Sequence, residues 1–192
     1  MESSDPQLME RLAKGDDLAL NALMARWSDR ITSFLFRLTG SRDVAIDLAQ
    51  ETFVKLYHAR ERYRPKGQFS TYLFAIASNL AKNHERWKRR HPAVSLDELN
   101  DHSELPLDPT DPRPSPLAVT QTLERLEAVR HAFSLLPLEL REVMSLFVDE
   151  GMGYAEISEI SRCSKKAVET RIYRARQMLK DHLRGFEVPE EP

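Results

Sequence analysis

An all-α fold, made of two small helical units joined by an extended segment, is what this 192-residue sequence predicts. Three observations carry that expectation. Apolar residues recur at spacings of three and four, with no strand-type alternation. Glycines and prolines fall between the periodic stretches, where helices stop and start. Six of the eleven prolines (Pro92, Pro106, Pro109, Pro112, Pro114 and Pro116) crowd into one acidic stretch in the middle of the chain.

In chain order, the periodicity predicts helices over 5–14, 16–38, 42–62 and 70–90. Their boundaries are Gly15-Asp16, Gly40-Ser41 and Pro65-Lys66-Gly67. Four more follow at 120–135, 138–150, 154–161 and 165–184, separated by Pro137, Gly151-Met152-Gly153 and the short Ser161-Arg162-Cys163-Ser164 turn. Residues 5–92 therefore make the first unit and 121–185 the second, with a linker over 93–120 and an acidic tail over 186–192. Each linker proline fixes its own φ and pushes the preceding residue to extended backbone, so the linker is expected to be stretched. At about 3.1 Å per residue, its roughly 28 residues reach about 85 Å, far enough for the two units to engage separate sites.

Composition narrows the function. With 41% hydrophobic and 30% charged residues, the chain has the make-up of a folded, water-soluble protein. No apolar run approaches the roughly 20 residues of a membrane span, and the Met-Glu-Ser-Ser-Asp-Pro start is acidic where a secretory signal is basic. A cytoplasmic protein without membrane insertion is expected. The single cysteine, Cys163, excludes an internal disulfide and a Cys-pair metal site, and a structural role in its turn is expected of it. The six histidines show no metal-ligand spacing, no Gly-rich phosphate loop precedes a helix, and no nucleophile motif is present. Neither catalysis nor a metal or other cofactor is expected.

The net charge of −2 conceals an uneven distribution. Residues 1–92 carry 16 Lys/Arg against 11 Asp/Glu, the middle 93–120 carries 1 against 6, and 121–192 carries 11 against 13. Two basic clusters stand out: Lys82, Arg86, Lys88, Arg89 and Arg90 in the first unit, and Lys165, Lys166, Arg171, Arg174, Arg176, Lys180 and Arg184 in the second. A solvated helix face would account for either cluster alone, as would a surface that neutralises phosphates.

The second cluster sits in a helix-turn-helix layout: a short helix from Tyr154, a four-residue turn, and a longer basic helix that Ser164 is placed to cap. In that last helix Val168, Ile172, Ala175 and Leu179 share one buried face. Lys166, Glu169, Thr170, Tyr173, Arg174 and Gln177 lie opposite, where side chains of a helix seated in a major groove reach base edges. Glu169 is awkward near phosphates unless it accepts from a cytosine amino group.

The first cluster ends a helix whose core positions are Leu73, Ile76, Leu80 and Trp87. Beside that face Tyr72, Asn79, Asn83, Arg86 and Arg90 form a second stripe. Aromatic, amide and guanidinium groups in a row suit a single strand, whose bases stack or flip while its backbone follows the cations. The preceding helix buries Ala45, Leu48, Ala49, Phe53, Leu56 and Tyr57 and leaves Asp43, Asp47, Gln50 and Glu51 outside. Periodicity alone allows either a solvated face or a dock for a basic partner.

These residues, in this order, resemble the extracytoplasmic-function sigma family of bacterial RNA polymerase specificity factors, within the sigma-70 class. Residues 38–53, ending Asp47-Leu48-Ala49-Gln50-Glu51-Thr52-Phe53, are similar to regions 2.1 and 2.2 of that family. Phe69-Ser70-Thr71-Tyr72 through Asn79 is similar to regions 2.3 and 2.4, with Tyr72 where the family commonly has Trp. Residues 136–143 and 150–157 are similar to region 4, although Gly153 stands where Ser or Thr commonly caps and Lys165-Lys166-Ala167-Val168-Glu169 replaces a more usual Gly-Thr-Val-basic run. The resemblance implies that Asp43, Asp47, Gln50 and Glu51 dock on the clamp of the polymerase β′ subunit. It also implies that Phe69, Tyr72, Asn79, Lys82, Asn83, Arg86 and Arg90 open and read the −10 promoter element, with Phe69 in the loop that forms the pocket of a flipped base beside Asn79. Lys165, Lys166, Glu169, Thr170, Arg171, Tyr173, Arg174 and Arg176 would read the −35 element, with the second unit held at the β flap. An anti-sigma factor would mask the polymerase-binding surfaces. One rival is a helix-turn-helix transcriptional regulator with an N-terminal sensor unit, which would bind duplex DNA tightly without polymerase.

Overall fold

The computed structural model describes residues 3–64, 67–91 and 116–184, with the side chains of 116–124 left aside. The structure is all-α among the described residues, as the periodicity predicts. Four helices form the first unit: α1 (Asp5–Ala13), α2 (Leu18–Thr39), α3 (Arg42–Ala59) and α4 (Phe69–Arg90). The second has α5 (Pro116–Ser134), α6 (Leu138–Val148), α7 (Tyr154–Ser161) and α8 (Lys165–Leu183). α5 begins at Pro116, within the segment assigned by sequence to the linker; a proline fits the first turn of a helix because the amide hydrogen it lacks has no intrahelical acceptor there. The rest of the expected linker and the acidic tail lie outside the described residues.

Local chemistry accounts for the boundaries. α2 stops at Gly40, whose φ of 75° is left-handed and open to glycine at no steric cost. Ser41 then caps α3 through its side chain. α7 begins at Gly153, which has no capping side chain, and the Glu156 carboxylate compensates by accepting from the Gly153 amide at 2.9 Å. α8 is capped by Ser164, whose hydroxyl accepts from the Ala167 amide at 3.2 Å.

In the first unit α2, α3 and α4 pack around fully buried Leu23, Ile31, Phe34, Leu35, Leu56, Leu73 and Phe74. Phe34 and Phe74 meet edge to face at 5.1 Å. α6, α7 and α8 close a smaller core on Leu146, Ile157, Ile160 and Val168. The two cores are continuous: α4 packs on α7 and α2 on α6, and one apolar cluster runs through both units.

Polar contacts seal that junction. Glu142 of α6 is fully buried, and its Oε1 accepts from the hydroxyl of Ser78 and from Lys82 Nζ at 2.8 Å, both on α4. At the other end, Arg30 of α2 grips Glu150 Oε2 through Nε at 3.0 Å and Nη2 at 2.7 Å. Arg37 reaches Ser145 Oγ at 2.6 Å, Asp149 at 2.9 Å and Glu150 at 3.3 Å. Buried charges persist only with such partners, because an unpaired carboxylate in this setting costs several kcal/mol, on the order of 3–5 when one partner of a pair is removed.

Candidate nucleic-acid interface

Three surfaces carry the residues singled out by sequence, each on a different helix. On α3, Ala45, Leu48, Ala49, Phe53 and Leu56 point into the bundle, and this fixes Asp43, Asp47, Gln50 and Glu51 on the outside, where all four are exposed. Glu51 pairs with Lys55 one turn on at 3.2 Å. Exposed Ile46 and Val54 lie on the same helix, so the acidic and amide face has apolar residues among it. Such a mixed patch, apolar within a charged rim, has the make-up of a protein interface.

α4 carries the second surface. Asn83, Arg86 and Arg90 are exposed, while Tyr72, Asn79 and Lys82 are half-buried. Phe69, expected in a loop around a base pocket, is instead the first residue of α4 and is buried. Its ring meets Trp27 at 5.8 Å and Tyr63 at 6.2 Å, and Tyr63 in turn meets Tyr72 at 5.1 Å. Phe69 thus backs an aromatic series that reaches the surface at Tyr63 and Tyr72. Burial pushes the phenol of Tyr72 above its ordinary range, and burial, then Asp5 and Tyr72, does the same for Tyr63. Both rings remain neutral hydrogen-bonding and stacking groups at any physiological pH. Lys82 is turned toward the second unit by Glu142.

Trp87 departs most clearly from the sequence expectation. Assigned to the core by its spacing, it is 46% exposed, because the last buried residue of α4 is Ala81 and the helix runs on past the bundle. Its ring is stacked with that of His91 at 4.9 Å and flanked by His84 at 6.3 Å.

The third surface is on α8. Val168, Ile172 and Ala175 are buried, with Leu179 half-buried beside them, so Lys165, Lys166, Glu169, Thr170, Tyr173, Arg174 and Gln177 face solvent together. Glu169, the carboxylate that looked awkward beside phosphates, is paired with Lys166 at 3.0 Å on the exposed face, a surface ion pair that water screens. Two of the expected groove residues are engaged elsewhere. Arg171 pairs with Glu139 of α6 at 2.9 Å and donates to Cys163 Sγ at 3.5 Å. The Arg176 guanidinium lies 5.6 Å from the centre of the Phe147 ring. Both brace α8 against α6 and the turn. Cys163 is half-buried in that turn.

The interunit residues Ser78, Glu142, Arg30, Arg37 and Glu150 were not foreseen from sequence. No group of three or more His, Cys, Asp or Glu among the described residues is placed to hold a metal, and no described helix is long and apolar enough to cross a membrane.

Two stretches of the chain match known family models. Residues 23–91 match the Sigma-70 region 2 family model, and residues 126–179 match Sigma-70, region 4. The ECF RNA polymerase sigma-E factor of Haemophilus influenzae is 32% identical over 184 residues, covering 94% of this chain and 95% of that protein. Those of Salmonella typhimurium LT2 and Escherichia coli K12 are each 34% identical over 180 residues, covering 92% of both chains. Among solved structures, CnrH in complex with the cytosolic domain of CnrY superposes with a TM-score of 0.67 at 25% identity, covering 96% of this chain and all of that one. The sigma factor RpoE of Bartonella quintana, solved with the anti-sigma factor NepR, shares the fold with a TM-score of 0.62 at 20% identity, covering 85% and 96%. With a region 2 unit and a region 4 unit in order and relatives that align over nearly its whole length, the chain belongs to the extracytoplasmic-function family of RNA polymerase sigma factors.

Proposed function

We propose a division of labour for this sigma factor among its three exposed surfaces. Asp43, Asp47, Gln50 and Glu51 on α3 dock on the β′ clamp. Tyr72, Asn79, Asn83, Arg86 and Arg90 on α4, backed by Phe69, open the −10 element and hold one strand, while Lys82, held by Glu142, ties α4 to the second unit. Lys165, Lys166, Glu169, Thr170, Tyr173 and Arg174 on α8 contact duplex at −35, with the second unit against the β flap, and Arg171 and Arg176 hold α8 in place for it. Bond formation belongs to the polymerase; this chain supplies recognition, needs no metal or cofactor, and acts in the cytoplasm beside the chromosome.

The observation that carries the reading is the exposure, on one helix each, of an acidic and amide face, an aromatic-amide-arginine stripe and a capped basic helix after a tight turn. Those three chemistries suit a protein partner, an unpaired strand and a duplex in turn. A helix-turn-helix regulator with a sensor unit is not favoured, because its N-terminal half would have no reason to be a Sigma-70 region 2. We further propose an anti-sigma partner that covers the α3 and α4 faces; the solved relatives CnrH and RpoE were each captured with a second protein, CnrY and NepR.

The test is reconstitution. Purified chain added to bacterial core polymerase and a genomic promoter library is expected to yield selective transcripts, with weak DNA binding by the chain alone. Absence of selective transcripts, or tight duplex binding without polymerase, overturns the proposal.

A further inference from the structure

The C-terminal end of α4 carries a feature that the promoter-reading stripe does not use. Trp27, the other tryptophan, is only 6% exposed, whereas Trp87 leaves 46% of its surface in water. Its ring is stacked on that of His91 at 4.9 Å with an interplanar angle of 25°, and the His84 imidazole lies beside it at 6.3 Å, tilted by 32°. The ladder is fixed at its end, where His91 Nδ1 donates to the Trp87 carbonyl oxygen at 3.0 Å. Exposed Arg86 and Arg90 flank it, and Arg89 is held by Glu85 at 3.0 Å.

We infer that the ring ladder His84, Trp87 and His91 is an additional contact for the opened DNA strand, where an unpaired base stacks beside the indole; this rests on α4 reading that strand. Charge and shape select the occupant. Exposed Arg86 and Arg90, with Lys88 and the Glu85-paired Arg89 beside them on the helix end, attract a polyanion. An acidic peptide satisfies the cations but leaves the rings in water, and a closed duplex has its base faces already stacked. A single strand offers phosphates to Arg86 and Arg90 and a free π-face to the ladder, and base–aromatic stacking tolerates any base. The ladder is continuous with Asn83, Arg86 and Arg90, and it extends the single-strand path toward the helix end.

The test uses the assembled holoenzyme on fork DNA whose unpaired positions carry 2-aminopurine, one at a time. One position is expected to be quenched by wild type and by Trp87→Phe, and unquenched by Trp87→Leu, whose fork affinity falls by about tenfold. Holoenzyme assembly and duplex binding by α8 stay unchanged, since Trp87 fills no core space. The inference is overturned if Trp87→Leu keeps the wild-type quenching pattern and a fork affinity within about twofold. Should the fork instead bind with Asn79-dependent discrimination but indifference to Trp87, only the ladder falls. If wild-type holoenzyme does not bind the fork at all, the reading of α4 falls with it.

Discussion

Lys82→Met tests whether the two units are held together as the structure shows. The substitution keeps the apolar stem of the side chain and removes the ammonium, leaving the fully buried Glu142 carboxylate with the hydrogen bond from the Ser78 hydroxyl. Removing one member of a buried pair costs about 3–5 kcal/mol, and the Lys82 side chain is 27% exposed, so water already weakens the pair and about 2–3 kcal/mol is the fitting figure. The strain has an outlet: α6 can part from α4 and let water reach Glu142. The loss therefore appears as separation of the units, a shift of about 30- to 150-fold in the docked-to-undocked ratio. Glu142→Gln keeps the volume and the acceptor while removing the charge, and is expected to cost less, about 1 kcal/mol. The double variant should lie closer to Glu142→Gln than additivity allows, because the two sites share one interaction. Energy transfer between dyes at exposed positions 55 and 180, attached through engineered cysteines in a Cys163→Ser background, reads the separation. Transfer in Lys82→Met indistinguishable from that of the parent would refute the reasoning.

Other expectations follow from local geometry. Ser164→Ala removes the α8 cap and should lower the stability of the second unit by about 1 kcal/mol, seen as an earlier thermal transition, with duplex affinity falling in step. The phenols of Tyr63 and Tyr72 are raised by burial above the ordinary value near 10, so the folded chain holds their protons more tightly than the unfolded chain. Their contribution to stability is accordingly intact below about pH 10 and is lost as pH rises through the folded values. Phenolate absorbance should show two of the five tyrosines ionising later in the native chain than in denaturant. Coincident native and denatured titrations would contradict the burial described for these rings.

How far this was legible in the sequence depends on the range of the interaction. Helix positions were readable because periodicity and punctuation are local: Gly40 ends α2 and Ser164 begins α8 as their chemistry requires. The same locality misplaced Trp87, whose spacing continues the core face of α4 past the last residue that has a core to enter. His84 and His91, one turn to either side, were the signal that the ring has local partners. The resemblance puts Arg171 and Arg176 in the groove, whereas in the structure each turns toward an anion or ring on α6, Glu139 or Phe147. Phe69 was read as part of a loop, yet it sits where the helix starts and faces Trp27. The junction was illegible because Glu142 lies 64 residues from Ser78 and 60 from Lys82, and no spacing rule joins such positions.

The central claim, that α4 reads the opened strand and α8 the duplex, is tested most directly by crossing two variants with two promoter changes. Holoenzyme carrying Asn79→Ala is expected to lose discrimination among −10 sequences and to form fewer permanganate-reactive open complexes, while keeping its response to −35 changes. Holoenzyme carrying Arg174→Ala is expected to lose the −35 response by about 1–3 kcal/mol while its −10 preference stays. If either variant alters both responses equally, or each alters the other's element, the assignment of the two surfaces is wrong.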